Sequence, residues 1–125
     1  MAVFRIHGAR GSYPVSGPRY RKYGGHTSSF SVETNRGVII IDAGTGITTI
    51  GEELARRSRI PPIALLFTHL HLDHSLGLCS FKPFYSSKAR VTLLADPVVS
   101  VDWRATVRMM TRRCGCGPTA IRWCW

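Results

Sequence analysis

Histidine is missing from everything after His74, and acidic residues are scarce along the whole chain. Only 7 Asp and Glu stand against 17 Lys and Arg, a formal net charge of +10 with a sequence pI near 10.4. Lysine supplies only Lys22, Lys82 and Lys88, so arginine carries the excess. A balance this basic steers phosphate-bearing partners towards the molecule without marking a site, and arginine dominance equally suits a GC-rich coding sequence. Nucleic-acid binding calls for a basic stripe with interleaved aromatics, and Arg19-Tyr20-Arg21-Lys22-Tyr23 is one short candidate for a basic RNA-associated module. Long apolar runs are absent too. Val38–Ile41 and Ile63–Phe67 fall far below the roughly 20 residues of a membrane-spanning helix. No charged-then-apolar leader opens the chain, which makes a cytoplasmic location the default expectation. Cysteine is confined to Cys79, Cys114, Cys116 and Cys124. Without a leader or a paired zinc-knuckle spacing, neither a disulfide framework nor a thiolate metal clip is expected.

What is present suits one small domain with a core: 125 residues, 44% of them hydrophobic. Val3–Ile6 reads as an opening strand. Gly8–Gly25, rich in Gly, Pro, Arg and Tyr, reads as a long loop of the kind that carries function or stays mobile. Thr27–Thr34 alternates apolar and polar residues, Asn35-Arg36-Gly37 is a tight turn, and Val38–Ile41 is a β-branched run suited to a strand buried on both faces. Asp42 closes that strand. Ile47–Arg57 then places Ile47, Ile50, Gly51 and Leu54 on one helical stripe. Ile63–Phe67 is a second buried strand, Thr68–Gly77 a histidine-rich loop at its C-terminal end, and Arg90–Ala95 a last strand before Asp96-Pro97. This order of strands, helix, strand, loop and strand is α/β with a layered sheet. Asp102–Met110 suits a helix, whereas Cys114–Trp125 shows no periodicity. Residues 98–125 form an atypical basic tail holding all three tryptophans, which suggests a frameshift near residues 110–113 or a disordered end; a native C-terminus is the alternative.

The chemistry gathers in His69, His71, Asp73 and His74, spaced His-x-His-x-Asp-His. Imidazole nitrogen and carboxylate oxygen are the donors that zinc and similar divalent ions accept at about 2.0–2.2 Å. Packing such groups unpaired in a core would be costly. In an extended segment His69 and His71 point the same way, whereas Asp73 and His74 diverge and can serve a second ion.

These residues, together with the strand-ending Asp42-Ala43-Gly44-Thr45-Gly46 and the element order, resemble the metallo-β-lactamase superfamily of metal-dependent hydrolases. Gly11-Ser12-Tyr13-Pro14-Val15-Ser16-Gly17-Pro18 followed by Tyr23-Gly24-Gly25-His26-Thr27-Ser28 is similar to its phosphodiesterase-like branch, which includes tRNA-processing ribonuclease Z and enzymes that open cyclic phosphates. The resemblance spans residues 1–97 and implies the N-terminal half of an αββα sandwich. It implies His69 and His71 on one divalent ion and Asp73 and His74 on another, with a metal-activated hydroxide attacking a phosphodiester or cyclic phosphate bond. Zinc and manganese both suit. Asp73 would also act catalytically by steering the nucleophile's proton, and Asp42 would support the histidine loop without binding metal. Substrates would be phosphate-containing small molecules or RNA. Arg19, Arg21, Lys22 and the backbone at Gly24 and Gly25 are the phosphate contacts, although a plain turn explains the two glycines equally well. His26 stands where the branch usually has asparagine.

The family's remaining ligands come from a C-terminal half, and no histidine follows His74 here. Each ion would keep two protein ligands where catalytic zinc normally has three. The alternative is therefore an inactive fragment that at most binds metal or a partner chain. Weak zinc binding, little turnover, one uncovered apolar sheet face and a homodimer are the corresponding expectations. The four site residues are expected at one end of the sheet with Asp42 behind them, and Gly8–Tyr23 as a loose loop at the same rim.

Overall fold

A computed structural model of the chain describes residues 1–95 in full and residues 120–124 as a backbone strand. Strands β1 (Val3–Gly8), β2 (Ser29–Thr34) and β3 (Gly37–Ile41) form an antiparallel ladder, with the β2–β3 hairpin closing at Asn35-Arg36. Helix α1 (Ile47–Ala55) then carries the chain over the sheet to β4 (Ile63–Leu66), which pairs parallel to β3. A single helical turn, α2 (Leu72–Ser75), interrupts what the sequence suggested was an irregular histidine loop, and two 3-10 turns follow before β5 (Arg90–Leu94) joins β4 in parallel. Ala120–Cys124 adds β6 at the far edge, parallel to β5, where the sequence had shown no strand pattern. The sheet order is β1-β2-β3-β4-β5-β6. The helix expected over Asp102–Met110, and the character of the tail before residue 120, lie outside the described residues. Among the described residues no helix is long and apolar enough to cross a membrane.

Register explains which side chains are buried. Ser31, Ile40, Leu65 and Leu93 lie in one row across β2–β5, and Glu33, Val38, Ile63 and Val91 in the next. The apolar members of both rows pack beneath α1, whose Ile47, Ile50 and Leu54 are fully buried. Phe81 and Phe84, from the 3-10 turns, close the same core with rings 5.3 Å apart and nearly perpendicular. The opposite face holds Phe4, Ile6, Ile39 and Leu66, all exposed. Val38–Ile41 and Ile63–Phe67 are thus buried on one side only. Among the described residues a helical layer covers a single face, so the reading of two-sided burial is corrected.

Where β1 and β2 turn polar, charge holds the helix in place. Arg57, just past α1, donates to both carboxylate oxygens of Glu33 on β2, with Nη2 3.0 Å from Oε2. Arg5 on β1 lies 3.5 Å from both Glu33 and Glu53. The Arg57 guanidinium holds the Glu33 carboxyl below its ordinary range. A depressed folded value means stability that is present above the unfolded carboxylate range and lost as pH falls through the folded value. Glu33→Gln should therefore flatten the acid limb of the stability–pH curve, removing no more than about 1 kcal/mol near neutrality because the pair is partly exposed. Urea melts between pH 3 and 7 check this, and an unchanged acid limb would contradict it.

Candidate functional site

Parallel strands direct their C-terminal ends to one edge of a layered sheet, and the loops there are where sites form. β3 ends at Asp42 and β4 runs into Phe67 and Thr68, so both loops meet at this edge. Asp42 adopts φ 60°, a left-handed conformation that Asp tolerates better than most residues, and it is almost fully buried. The turn places its carboxylate against the second loop. Oδ1 accepts the Thr68 amide at 2.8 Å, and Oδ2 accepts both the Thr68 hydroxyl and His74 Nδ1 at 2.8 Å.

Those bonds assign the protons. A carboxylate offers only acceptors, so His74 donates from Nδ1, and in the neutral ring the lone pair is then on Nε2. The Thr68 hydroxyl gives its hydrogen to Asp42, so its oxygen accepts from His69 Nδ1, 3.0 Å away. In the neutral His69 ring this leaves Nε2 as the ligating nitrogen. One buried carboxylate orients two imidazoles, directly for His74 and through Thr68 for His69. Holding a ring in this way prepares it as a metal ligand.

The loops are closed by backbone bonds. Ala43 donates to His74 O at 2.7 Å, and Gly77 donates to Ala43 O at 2.8 Å. Gly44 is required here because a Cβ would collide with the backbone carbonyl of Asp73. The His69 ring centroid lies 3.9 Å from His74 and 4.6 Å from His71. Asp73 Oδ2 is 3.6 Å from His74 Nε2. The structure thus brings His69, His71, Asp73 and His74 together at one end of the sheet, with Asp42 beneath them. Within the cluster His74 sits nearer His69 than His71 does.

The donor chemistry fits a divalent ion: imidazole nitrogens beside a carboxylate, with a buried carboxylate orienting the rings. Among the described residues, no three His, Cys, Asp or Glu side chains are placed to hold one ion together.

Ser12 is a contact that the sequence did not disclose. It lies in the loop after β1 with φ 70°, and its amide donates to Asp73 Oδ2 at 2.9 Å. This bond is the leading reason that the Asp73 carboxyl sits below its ordinary range, with His74 and His71 adding to the effect. It also brings the Gly8–Gly25 loop to the site rim. The loop carries internal bonds, Arg10 N to His26 O at 3.1 Å and Val15 N to Gly25 O at 3.0 Å. A Cβ at Gly25 would strike the Val15 carbonyl, so packing within the loop accounts for that glycine. Gly24 lines a cleft beside Arg19, while no ion pair engages Arg19, Arg21 or Lys22 among the described residues. His26 Nδ1 lies 3.2 Å from Thr45 Oγ1. His7 stands apart, bonded to Ser31 at 2.8 Å and held below its ordinary pKa by burial.

Asp42→Asn keeps the shape and the left-handed backbone but turns an NH2 group towards donors. It should cost about 1–3 kcal/mol of stability and convert His74 from a pure Nδ1–H tautomer to a mixture, read by nitrogen-detected NMR of the ring. An unchanged tautomer would contradict the assignment.

The metallo-beta-lactamase superfamily model matches residues 23–111. No curated protein matches the chain. Among solved structures, human tRNase Z, short form (ELAC1), is similar at 17% identity with a TM-score of 0.67, over 98% of this chain and 44% of that one. The metallo-beta-lactamase fold protein YhfI from Bacillus subtilis is similar at 11% identity and TM-score 0.62, over 99% and 45%. A diphosphatase from the PhnP family is similar at 18% identity and TM-score 0.60, over 99% and 50%. Likeness at these identities shows the fold, and the chain spans about half the length of the solved structures it matches.

Proposed function

The chain belongs to the metallo-beta-lactamase superfamily, and from that premise we propose that its site is that of a metal-dependent hydrolase acting on phosphodiester or cyclic phosphate bonds. The observation that carries this reading is the cluster of His69, His71 and His74 beside Asp73, with the tautomers of His69 and His74 set by Asp42 and Thr68. Bound zinc or manganese would supply Lewis acidity towards phosphate oxygens and a nucleophile at neutral pH. The chain's own part is to present imidazole lone pairs at Nε2 of His69 and His74, together with the ring of His71. Asp73, whose carboxyl the Ser12 amide holds below its ordinary range, would steer the proton of the attacking water. Names such as tRNase Z and diphosphatase among the similar structures favour phosphate-containing or RNA substrates, and the basic loop at the rim suits them.

One observation favours a second reading, a catalytically inactive unit that at most binds metal or a partner chain: no three of the described ligating side chains hold a common point. Zinc content after dialysis and hydrolysis of a bis-aryl phosphodiester separate the two. Zinc should be held weakly. Turnover should be slow but above the metal-free blank, and lost at least tenfold in a His69→Ala, His71→Ala double variant. No turnover at saturating zinc or manganese, or equal turnover in the double variant, would overturn the hydrolase reading in favour of the second.

A further inference from the structure

Beside the histidine cluster, the loop after β1 folds into a cleft of about 290 Å³ lined by Arg10, Gly11, Arg19, Tyr20, Tyr23 and Gly24, among others. We propose that this cleft binds one nucleotide unit, its base on a tyrosine ring and its phosphate on Arg10 and Arg19. The inference extends the hydrolase reading by naming a substrate class, yet binding in the cleft requires no metal.

Several independent features support it. The Arg10 guanidinium lies 5.5 Å from the Tyr13 ring centre and 5.3 Å from that of Tyr20. Aromatic rings over a guanidinium hold its plane while leaving its edge free to donate. Arg10 Nε is buried and has no acceptor among the described residues, which is unusual for a buried donor. The terminal nitrogens of the same guanidinium are suited to phosphate oxygens, since Arg pairs with phosphate through paired donors. No Asp or Glu is among the residues lining the cleft, and Glu33 is the first acidic residue in the chain, although Arg5, Arg10, Arg19, Arg21 and Lys22 precede it. Tyr23 is 83% exposed, an unusual position for a large ring unless a face is needed. Lys22 Nζ sits 5.1 Å from its ring centre. Single-stranded nucleic acids are held by this combination of stacked aromatic faces and cations along the backbone.

The cleft also lies where a substrate would need it. Gly11 lines it, and the next residue, Ser12, donates to Asp73. A nucleotide seated there would lie on the same loop that fixes Asp73. The same chemistry suits a free mononucleotide and a unit within an RNA strand.

Fluorescence anisotropy in EDTA tests the subsite apart from catalysis. The probe is a labelled six-nucleotide single-stranded RNA, with an abasic oligomer of equal charge and a free nucleoside monophosphate as competitors. The native strand should bind at least fivefold tighter than the abasic one. Tyr23→Ala should remove most of that difference, whereas Arg19→Ala should weaken both strands alike and reduce the salt dependence. Competition by the mononucleotide at similar concentration would identify it as the natural source, and weak competition would identify a strand. Both substituted residues are exposed, so thermal melts should match the parent and show that folding is intact. Equal affinity for native and abasic strands, or no effect of Tyr23→Ala, would overturn the subsite even if phosphodiester hydrolysis is found. Loss of hydrolysis with RNA binding intact would instead refute the catalytic reading alone.

Discussion

A carboxylate buried where β3 ends must find donors, and Asp42 finds them on a loop distant in sequence. Leaving such a group unpaired in the interior would cost several kcal/mol, on the order that unfolds a marginal domain. The loop after β4 therefore cannot drift: Thr68 and His74 are drawn to Asp42, and His69 follows through the Thr68 hydroxyl. The backbone bonds between Ala43, His74 and Gly77 then tighten what the carboxylate began. Stability and chemistry share this constraint, because the bonds that satisfy Asp42 also place protons on the Nδ1 atoms and free the Nε2 atoms.

The second constraint comes from the other side of the site. The long loop after β1 reaches back to the histidines through the Ser12 amide, held in a left-handed conformation. Asp73 is thereby fixed from outside the motif that contains it. The same loop carries Arg10, Arg19 and Tyr20 in its cleft, so the cleft and the geometry of Asp73 depend on one segment. The sheet supplies the platform: parallel β3, β4 and β5 end together at the site, while antiparallel β1 and β2 frame the loop's entry and exit.

Much of this was legible in the residues. Period-two alternation and the Asn35-Arg36-Gly37 turn disclosed the β2–β3 hairpin, and the stripe of Ile47, Ile50 and Leu54 disclosed α1. The tight His-x-His-x-Asp-His spacing disclosed the site because so many ligating groups rarely share one short segment without a purpose. Other features depend on tertiary contact and leave no local trace. Ser12 acts through its backbone, so its residue type says nothing about Asp73. Thr68 precedes the motif, but its part follows from the position of Asp42. Phe81 and Phe84 reach the core from 3-10 turns, whose period matches neither helix nor strand. The one-sided burial of β3 and β4 leaves no trace in sequence, because a β-branched run looks the same whether one face or both are covered.

The central claim is that Asp42 and Thr68 prepare a histidine cluster for a divalent ion, and zinc titration of the chain labelled with nitrogen-15 in histidine tests it most directly. The Nε2 signals of His69, His71 and His74 should shift together as zinc approaches saturation, His69 and His74 should retain their Nδ1 protons, and His7 and His26 should stay where they were. Equal shifts at His7 and His26, or ligation through Nδ1 of His74, would contradict it.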